Sequence, residues 1–227
     1  MSRLREQLRF GIFGEGVRSA VVTLVLGVAA IVVSLFYDAL NHGPNVLFLR
    51  TPLDDAIPVV GPFVIPYVSL RPFIYLSAVL FLLFRTRIYR SAAASMILVL
   101  VVSYAFYAFL QTFIDRPAIG GDDLFSRMIR DVYASDQPYN DFPSLHASLS
   151  TIFAIHWLRV DRRLGVPIAI WAALIVLSTV FVKQHYVPDV VAGVVLASVA
   201  SWWSLRLLAA RVSARDPRAS LAGSASA

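Results

Sequence analysis

The sequence predicts an all-α fold: an integral membrane bundle of six transmembrane helices with both termini cytoplasmic. Three observations lead to it. Of the 227 residues, 58% are hydrophobic and only 15% are charged, where soluble domains run nearer half and a quarter. The apolar residues also fall in blocks, several of them long enough or nearly long enough to cross a hydrocarbon core that takes about 20 residues of helix. Arginines cluster between those blocks, and this signal is independent of hydropathy yet agrees with it.

In chain order the spans fall at about 17–37, 64–84, 91–114, 144–158, 165–182 and 187–209, the fourth being the shortest. The first follows the basic stretch MSRLREQLRFGIFGEGVR. It is longer than a signal-peptide core and no cleavage site follows, so it reads as a retained signal-anchor. Arg3, Arg5, Arg9 and Arg18 precede it, and Arg85, Arg87 and Arg90 join spans two and three. Arg159, Arg162 and Arg163 join spans four and five, while Arg206, Arg211, Arg215 and Arg218 close span six. With six spans these clusters share one face, which the positive-inside bias makes cytoplasmic. They also account for the net charge of +6, so no nucleic-acid partner is expected. The chain has no cysteine, which excludes disulfides and thiolate metal sites. Residues 1–212 form a single transmembrane domain, and 213–227, ending in ASLAGSASA, is expected to be a disordered cytoplasmic tail.

The opposite face receives loops 38–63, 115–143 and 183–187. TPLDDAIPVVGPFVIPY is punctuated by proline and is expected to lie along the interface rather than cross it. DDLFSRMIRDVY carries Leu124, Phe125, Met128, Ile129 and Val132 at helical spacing, the pattern of an amphipathic helix lying on the membrane surface.

Ionisable groups near membrane depth call for a functional explanation, and on this face they gather at span ends. In STVFVKQHYVPDVVAG, Pro188 marks the start of span six, with His185 in the turn before it and Asp189 just inside. A carboxylate four residues on can accept from one imidazole nitrogen, fix the tautomer and leave the other nitrogen free; the alternative is a capping and packing pair. In NDFPSLHASLS, Pro143 and Ser144 start a helix whose N-terminus suits phosphate. His146 would face that anion, unless it is only packed. Arg116, before Pro117 at the end of span three, offers a planar fork of donors to phosphate, or snorkels to headgroups.

Together these residues resemble the type 2 phosphatidic acid phosphatase superfamily, whose signature reads KxxxxxxRP, PSGH and SRxxxxxHxxxD. The chain offers Arg116–Pro117, PSLH at 143–146, and Ser178–Thr179 followed by His185 and Asp189. It departs in having Phe109 for the lysine, Leu145 for the glycine and Thr179 for the arginine. PSLH with a QHYxxD-like third motif is similar to the inositol phosphorylceramide synthase-like (inositol phosphotransferase) branch, with sphingomyelin synthases more distant. The resemblance implies a lipid phosphate phosphatase or phospho-headgroup transferase that needs no cofactor or metal. In it His185 attacks phosphorus, Asp189 orients it, and His146 acts as acid and then base. Arg116, Ser144 and the backbone near Leu145 hold the phosphoryl oxygens, with Lys183 supplying one of the missing charges. Asn140, Tyr139 and Tyr186 are headgroup candidates. The expected substrate is a phospholipid or polyprenyl phosphate, in a bacterial inner membrane with the site facing the periplasm or exterior. Two alternatives stay open: an inactive lipid-binding or transport protein on the same fold, and a metal triad of His146, His185 and Asp189. His156 and His42 carry no assigned chemistry, and Arg71 either faces the site or snorkels.

Overall fold

The computed structural model describes residues 10–41, 43 and 46–213. The expectations for Arg3, Arg5, Arg9, His42 and the tail beyond 213 lie outside the described residues. Helices dominate, and no strand occurs among the described residues beyond two isolated bridges. In order they are α1 (Val17–Ser34), α2 (Tyr37–Leu40), α3 (Pro52–Ala56), α4 (Val64–Val68), α5 (Leu70–Phe84), α6 (Thr86–Phe109), α7 (Leu124–Ser135), α8 (Leu145–Val160), α9 (Arg162–Phe181) and α10 (Val187–Ser213).

Five stretches are long and apolar enough to cross a membrane: Val17–Leu40, Gly61–Phe84, Thr86–Phe109, Arg162–Phe181 and Val187–Leu207. The remaining expected span, α8, has 16 residues. That is a rise of about 24 Å, short of the roughly 30 Å of hydrocarbon. It lies in the middle of the bundle, packed against α5, α6, α9 and α10.

Polar contacts fix which helix ends lie together. Glu15, just ahead of α1, pairs with Arg90 at 2.9 Å and accepts from Thr86 Oγ1 at 2.7 Å. Ser204 in α10 meets the hydroxyls of Ser91 and Ser95 in the same part of α6. At the far end of α6, Tyr107 donates to the Pro143 carbonyl ahead of α8 at 2.8 Å. The starts of α1 and α6 and the later part of α10 therefore share one end, while the start of α8 lies at the other.

The core runs along α8 and includes Phe81, Val99, Ile152, Phe153, Ile175 and Ala200. Lipid is as apolar as these side chains, so close packing rather than expulsion from water holds such helices together. At Gly193 a Cβ would stand 2.5 Å from the Ser144 carbonyl oxygen, so only glycine lets α10 press against the start of α8. Large apolar residues stay exposed along α1, among them Val21, Leu24, Val28 and Ile31, as a lipid-facing helix requires.

Two expectations need correction. The third span was expected at 91–114, but α6 runs Thr86–Phe109. Arg90 belongs to the helix and reaches Glu15, whereas residues 111–114 leave it: Thr112 bridges Leu47 and Phe113 bridges Tyr139. Ile114 is apolar because it is buried in protein, which a hydropathy window cannot tell from burial in lipid. The amphipathic helix is present as α7, capped by Asp123, yet most of its apolar face packs on protein, with Leu124 exposed. Ile129 is fully buried against Val64, Tyr67 and Val182, with Phe125, Met128 and Val132 around them. It roofs the end of the bundle.

Candidate active site

The chain leaves α9 through Val182 and Lys183, the latter with φ of 53°, and the Gln184 and His185 amides both donate to the Thr179 carbonyl. This tight turn seats His185 just ahead of α10. Its Nδ1 lies 3.8 Å from Asp189 Oδ2 and 4.0 Å from Asp141 Oδ1. Both separations exceed hydrogen-bond length, so Nδ1 is flanked by two carboxylates and bonded to neither. Asp189 Oδ2 instead accepts from the Tyr186 amide at 2.8 Å, closing the first turn of α10.

Ser144 caps α8 by accepting from the Ala147 amide, and its own amide donates to the Asp189 carbonyl at 3.0 Å. That backbone bond joins the starts of α8 and α10 directly. The first-turn amides of Leu145 and His146 have no intrahelical acceptors and give this end of the helix its partial positive charge. The Leu145 side chain turns into the core. His146 stacks on Tyr67 with centroids 4.3 Å apart at 13°, and its ring lies 6.1 Å from that of His185. A phosphoryl group between the two rings would meet one on either side.

The expected cations sit differently. The Arg116 guanidinium donates to the carbonyls of Tyr133, Asp136 and Gln137 and to Gln184 Oε1, and rests over the Tyr133 ring at 5.2 Å. It is next to the site through Gln184, with its buried Nε unpaired. Lys183 is not brought to the histidines by any contact. Its ammonium donates to the carbonyls of Asp54 at 2.8 Å and Ile57 at 2.6 Å, anchoring the proline-rich segment, and burial lowers its pKa. Phe109 is 85% exposed and Thr179 Oγ1 bonds within its own helix, so neither departure from the motif is made good in place.

Of the headgroup candidates, Tyr186 receives the Asp115 amide and Tyr139 stacks edge-on against Phe113, so both are engaged in holding loops. Asn140 is buried with φ of 59°, donates to the Tyr37 carbonyl and leaves Oδ1 unpaired. Among the described residues no three or more His, Asp or Glu are grouped to hold a metal.

The sequence reading missed Asp141, Tyr67 and Gln184. Asp141 is 3% exposed, its amide and that of Phe142 donate to Thr112 Oγ1, and its Oδ2 is unpaired. Burial, then the neighbouring charge of Asp189, pushes its pKa well above the carboxylate range. A signal was present: an acid two residues ahead of PSLH is costly wherever a membrane helix begins. Tyr67 and Gln184 had none, because their roles arise from contacts across the bundle, the Tyr67 hydroxyl lying 3.4 Å from Gln184 Oε1.

A family model described as PAP2 superfamily matches residues 43–203, a range that contains every residue of this site. No curated protein and no solved structure matches the chain.

Proposed function

Because the chain belongs to the PAP2 superfamily, a group of phosphatase-type enzymes, we propose that it cleaves a phosphoester of a membrane lipid through a phosphohistidine. The observation that carries this reading is the pairing of His146 and His185 across 6.1 Å at the joined starts of α8 and α10, with two carboxylates behind Nδ1 of His185. Nδ1 faces the acids, so Nε2 is the nucleophile. As the Nε2–P bond forms, the P–O bond to the lipid breaks, and His146 gives its proton to the departing oxygen. The imidazolium that results is stabilised by Asp189. His146, now neutral, takes a proton from water or an alcohol, whose oxygen attacks phosphorus and frees His185. The α8 N-terminus and Arg116 stabilise charge on the phosphoryl oxygens, and the residues in hand ask for no metal. In this reading α8 counts as a sixth, buried span, both termini are cytoplasmic, and the site faces the exterior of a bacterial inner membrane.

A second reading has an observation behind it. The two terminal guanidinium nitrogens of Arg116 and the Lys183 ammonium are taken up by protein acceptors, as in an inactive lipid-binding protein on this fold. Purified protein incubated with phosphate-labelled phosphatidic acid, quenched and mapped, decides between them. Label on His185, absent from His185→Ala, is the expected result. No label and no phosphate release from any phospholipid or polyprenyl phosphate tried would select the binding protein.

A further inference from the structure

Arg71 is the second residue of α5 and lies one helical turn beyond Tyr67, the residue stacked on His146. The helix turns its buried stripe, Tyr67, Leu70, Ser77 and Phe81, to the core. Arg71 stands at the edge of that stripe, exposed. It makes no hydrogen bond or ion pair with the described protein, and its place one turn beyond Tyr67 puts it beside the ring stacked on His146. Thirteen residues separate Arg71 from the far end of α5, a rise of about 20 Å. In a hydrocarbon layer of about 30 Å the side chain therefore starts below the headgroups, where a bare guanidinium is unfavourable without an anion.

The other cations around the site are committed. Arg116 has its terminal nitrogens on carbonyls and Gln184 with Nε alone unpaired, Lys183 is held by carbonyls, Arg130 by the carbonyls of Ile119 and Gly121, and Arg50 by Asp55. The motif positions for cations hold Phe109 and Thr179. We propose that Arg71 is a further phosphate-binding cation of this site beside Arg116, meeting the phosphate of a lipid that enters from the bilayer on the α5 side and handing it to His146 and His185. The proposal rests on the phosphoester-cleaving reading. A planar guanidinium suits this task because it binds two phosphoryl oxygens at once and is weakly hydrated.

The test uses purified protein in nanodiscs. Turnover of phosphatidic acid is measured for wild type, Arg71→Gln, Arg71→Lys and, as an exposed control on α7, Arg127→Gln. Binding of labelled phosphatidic acid is measured separately in His185→Ala and His185→Ala/Arg71→Gln, so that affinity is read without chemistry. Loss of one charged hydrogen-bonding partner is expected to raise KM and weaken binding by about tenfold or more, with Arg71→Lys recovering part of the loss and Arg127→Gln unchanged. Inhibition by inorganic phosphate locates the contact. If it weakens together with lipid binding, Arg71 lines the phosphoryl site; if only lipid binding weakens, Arg71 acts on the route in from the bilayer. Unchanged KM, lipid binding and phosphate inhibition in Arg71→Gln would overturn the proposal and leave the side chain snorkelling. Arg71-dependent binding in a wild-type protein that turns nothing over would sink the catalytic reading and spare this one.

Discussion

The two ends of α8 each hold a histidine, and they are built on opposite terms. His156 is fully buried and saturated: one ring nitrogen lies 2.7 Å from the Ile152 carbonyl oxygen and the other 3.0 Å from Ser91 Oγ. Ser91 continues the chain to Ser204, and Ser204 to Ser95. At the His146 end polar atoms are buried and left without partners: Arg116 Nε, Asn140 Oδ1, Asp141 Oδ2, Gln184 Nε2, His185 Nδ1 and Asp189 Oδ1. The other unpaired buried side-chain atoms among the described residues are Asn41 Oδ1 and the hydroxyls of Ser103, Ser150 and Ser201. Orphaned buried polar groups are unfavourable, and a fold keeps them together where something else is to satisfy them. Donors and acceptors both stand open here, as a phosphoryl group and the alcohol it leaves or joins would require. The saturated end holds helices together; the unsaturated end is where the proposed reaction places its substrate.

The largest expected effect tests that division directly. His185→Ala and His146→Ala should each reduce phosphate release by about a thousandfold or more while leaving the unfolding temperature near that of wild type. His156→Ala should do the reverse. It removes the ring's bonds to Ser91 Oγ and the Ile152 carbonyl and opens a cavity, a loss of about 2 kcal/mol, with turnover close to wild type in the protein that remains folded. Phosphate release and thermal unfolding on the same preparations read both. A His156→Ala variant that is stable but inactive would break the comparison.

The sequence already carries much of this contrast. Runs of apolar residues and arginine clusters locate the helices because lipid imposes both at once. Proline with a capping serine, as in Pro143–Ser144, or proline beside His185 marks a helix start locally. What could not be read is whatever needs a partner across the bundle. His156 looked idle because Ser91, Ser95 and Ser204 are ordinary serines in apolar runs until α6 and α10 meet α8. Ile114 and Ile129 looked lipid-facing because hydropathy does not say what covers a side chain. Lys183 looked like a phosphate ligand because it neighbours His185 in sequence, while its positive φ, which turns it toward α3, leaves no trace in residue type.

A smaller effect sharpens the unsaturated end by pH. Asp141 has its pKa raised by burial, then by Asp189, with Asp136 adding and Arg116 opposing. A carboxyl raised in the folded state binds its proton more tightly there than in the unfolded chain. Its contribution to stability is therefore complete below the ordinary carboxyl pKa and is lost as pH rises through the folded value. Asp141→Asn, which copies the protonated shape, should leave stability unchanged at low pH and raise it at higher pH, flattening that part of the profile. Thermal unfolding from pH 4 upward measures it. A wild-type profile that rises with pH in this range, and an Asn variant that follows it, would show that Asp141 is paired in the folded state and that this corner is not open.

Lys183 offers the finest test, because sequence and structure assign it different work. As a phosphate ligand its loss would fall on substrate affinity. As an anchor it ties the turn before His185 to the carbonyls of Asp54 and Ile57. Asp54 Oδ1 also accepts from the Val187 amide at 2.8 Å, so the α3 segment and the start of α10 are held from two sides. Lys183→Met keeps the length of the side chain and removes only the donors. The expected loss is about 1 kcal/mol, since two hydrogen bonds to carbonyls are exchanged for bonds to water at a half-buried site. The KM for phosphatidic acid should move by less than about threefold, there being no lost phosphate contact to raise it. A tenfold rise in KM with unchanged unfolding would return Lys183 to the phosphoryl site, and would mean that the ammonium leaves its two carbonyls when lipid binds.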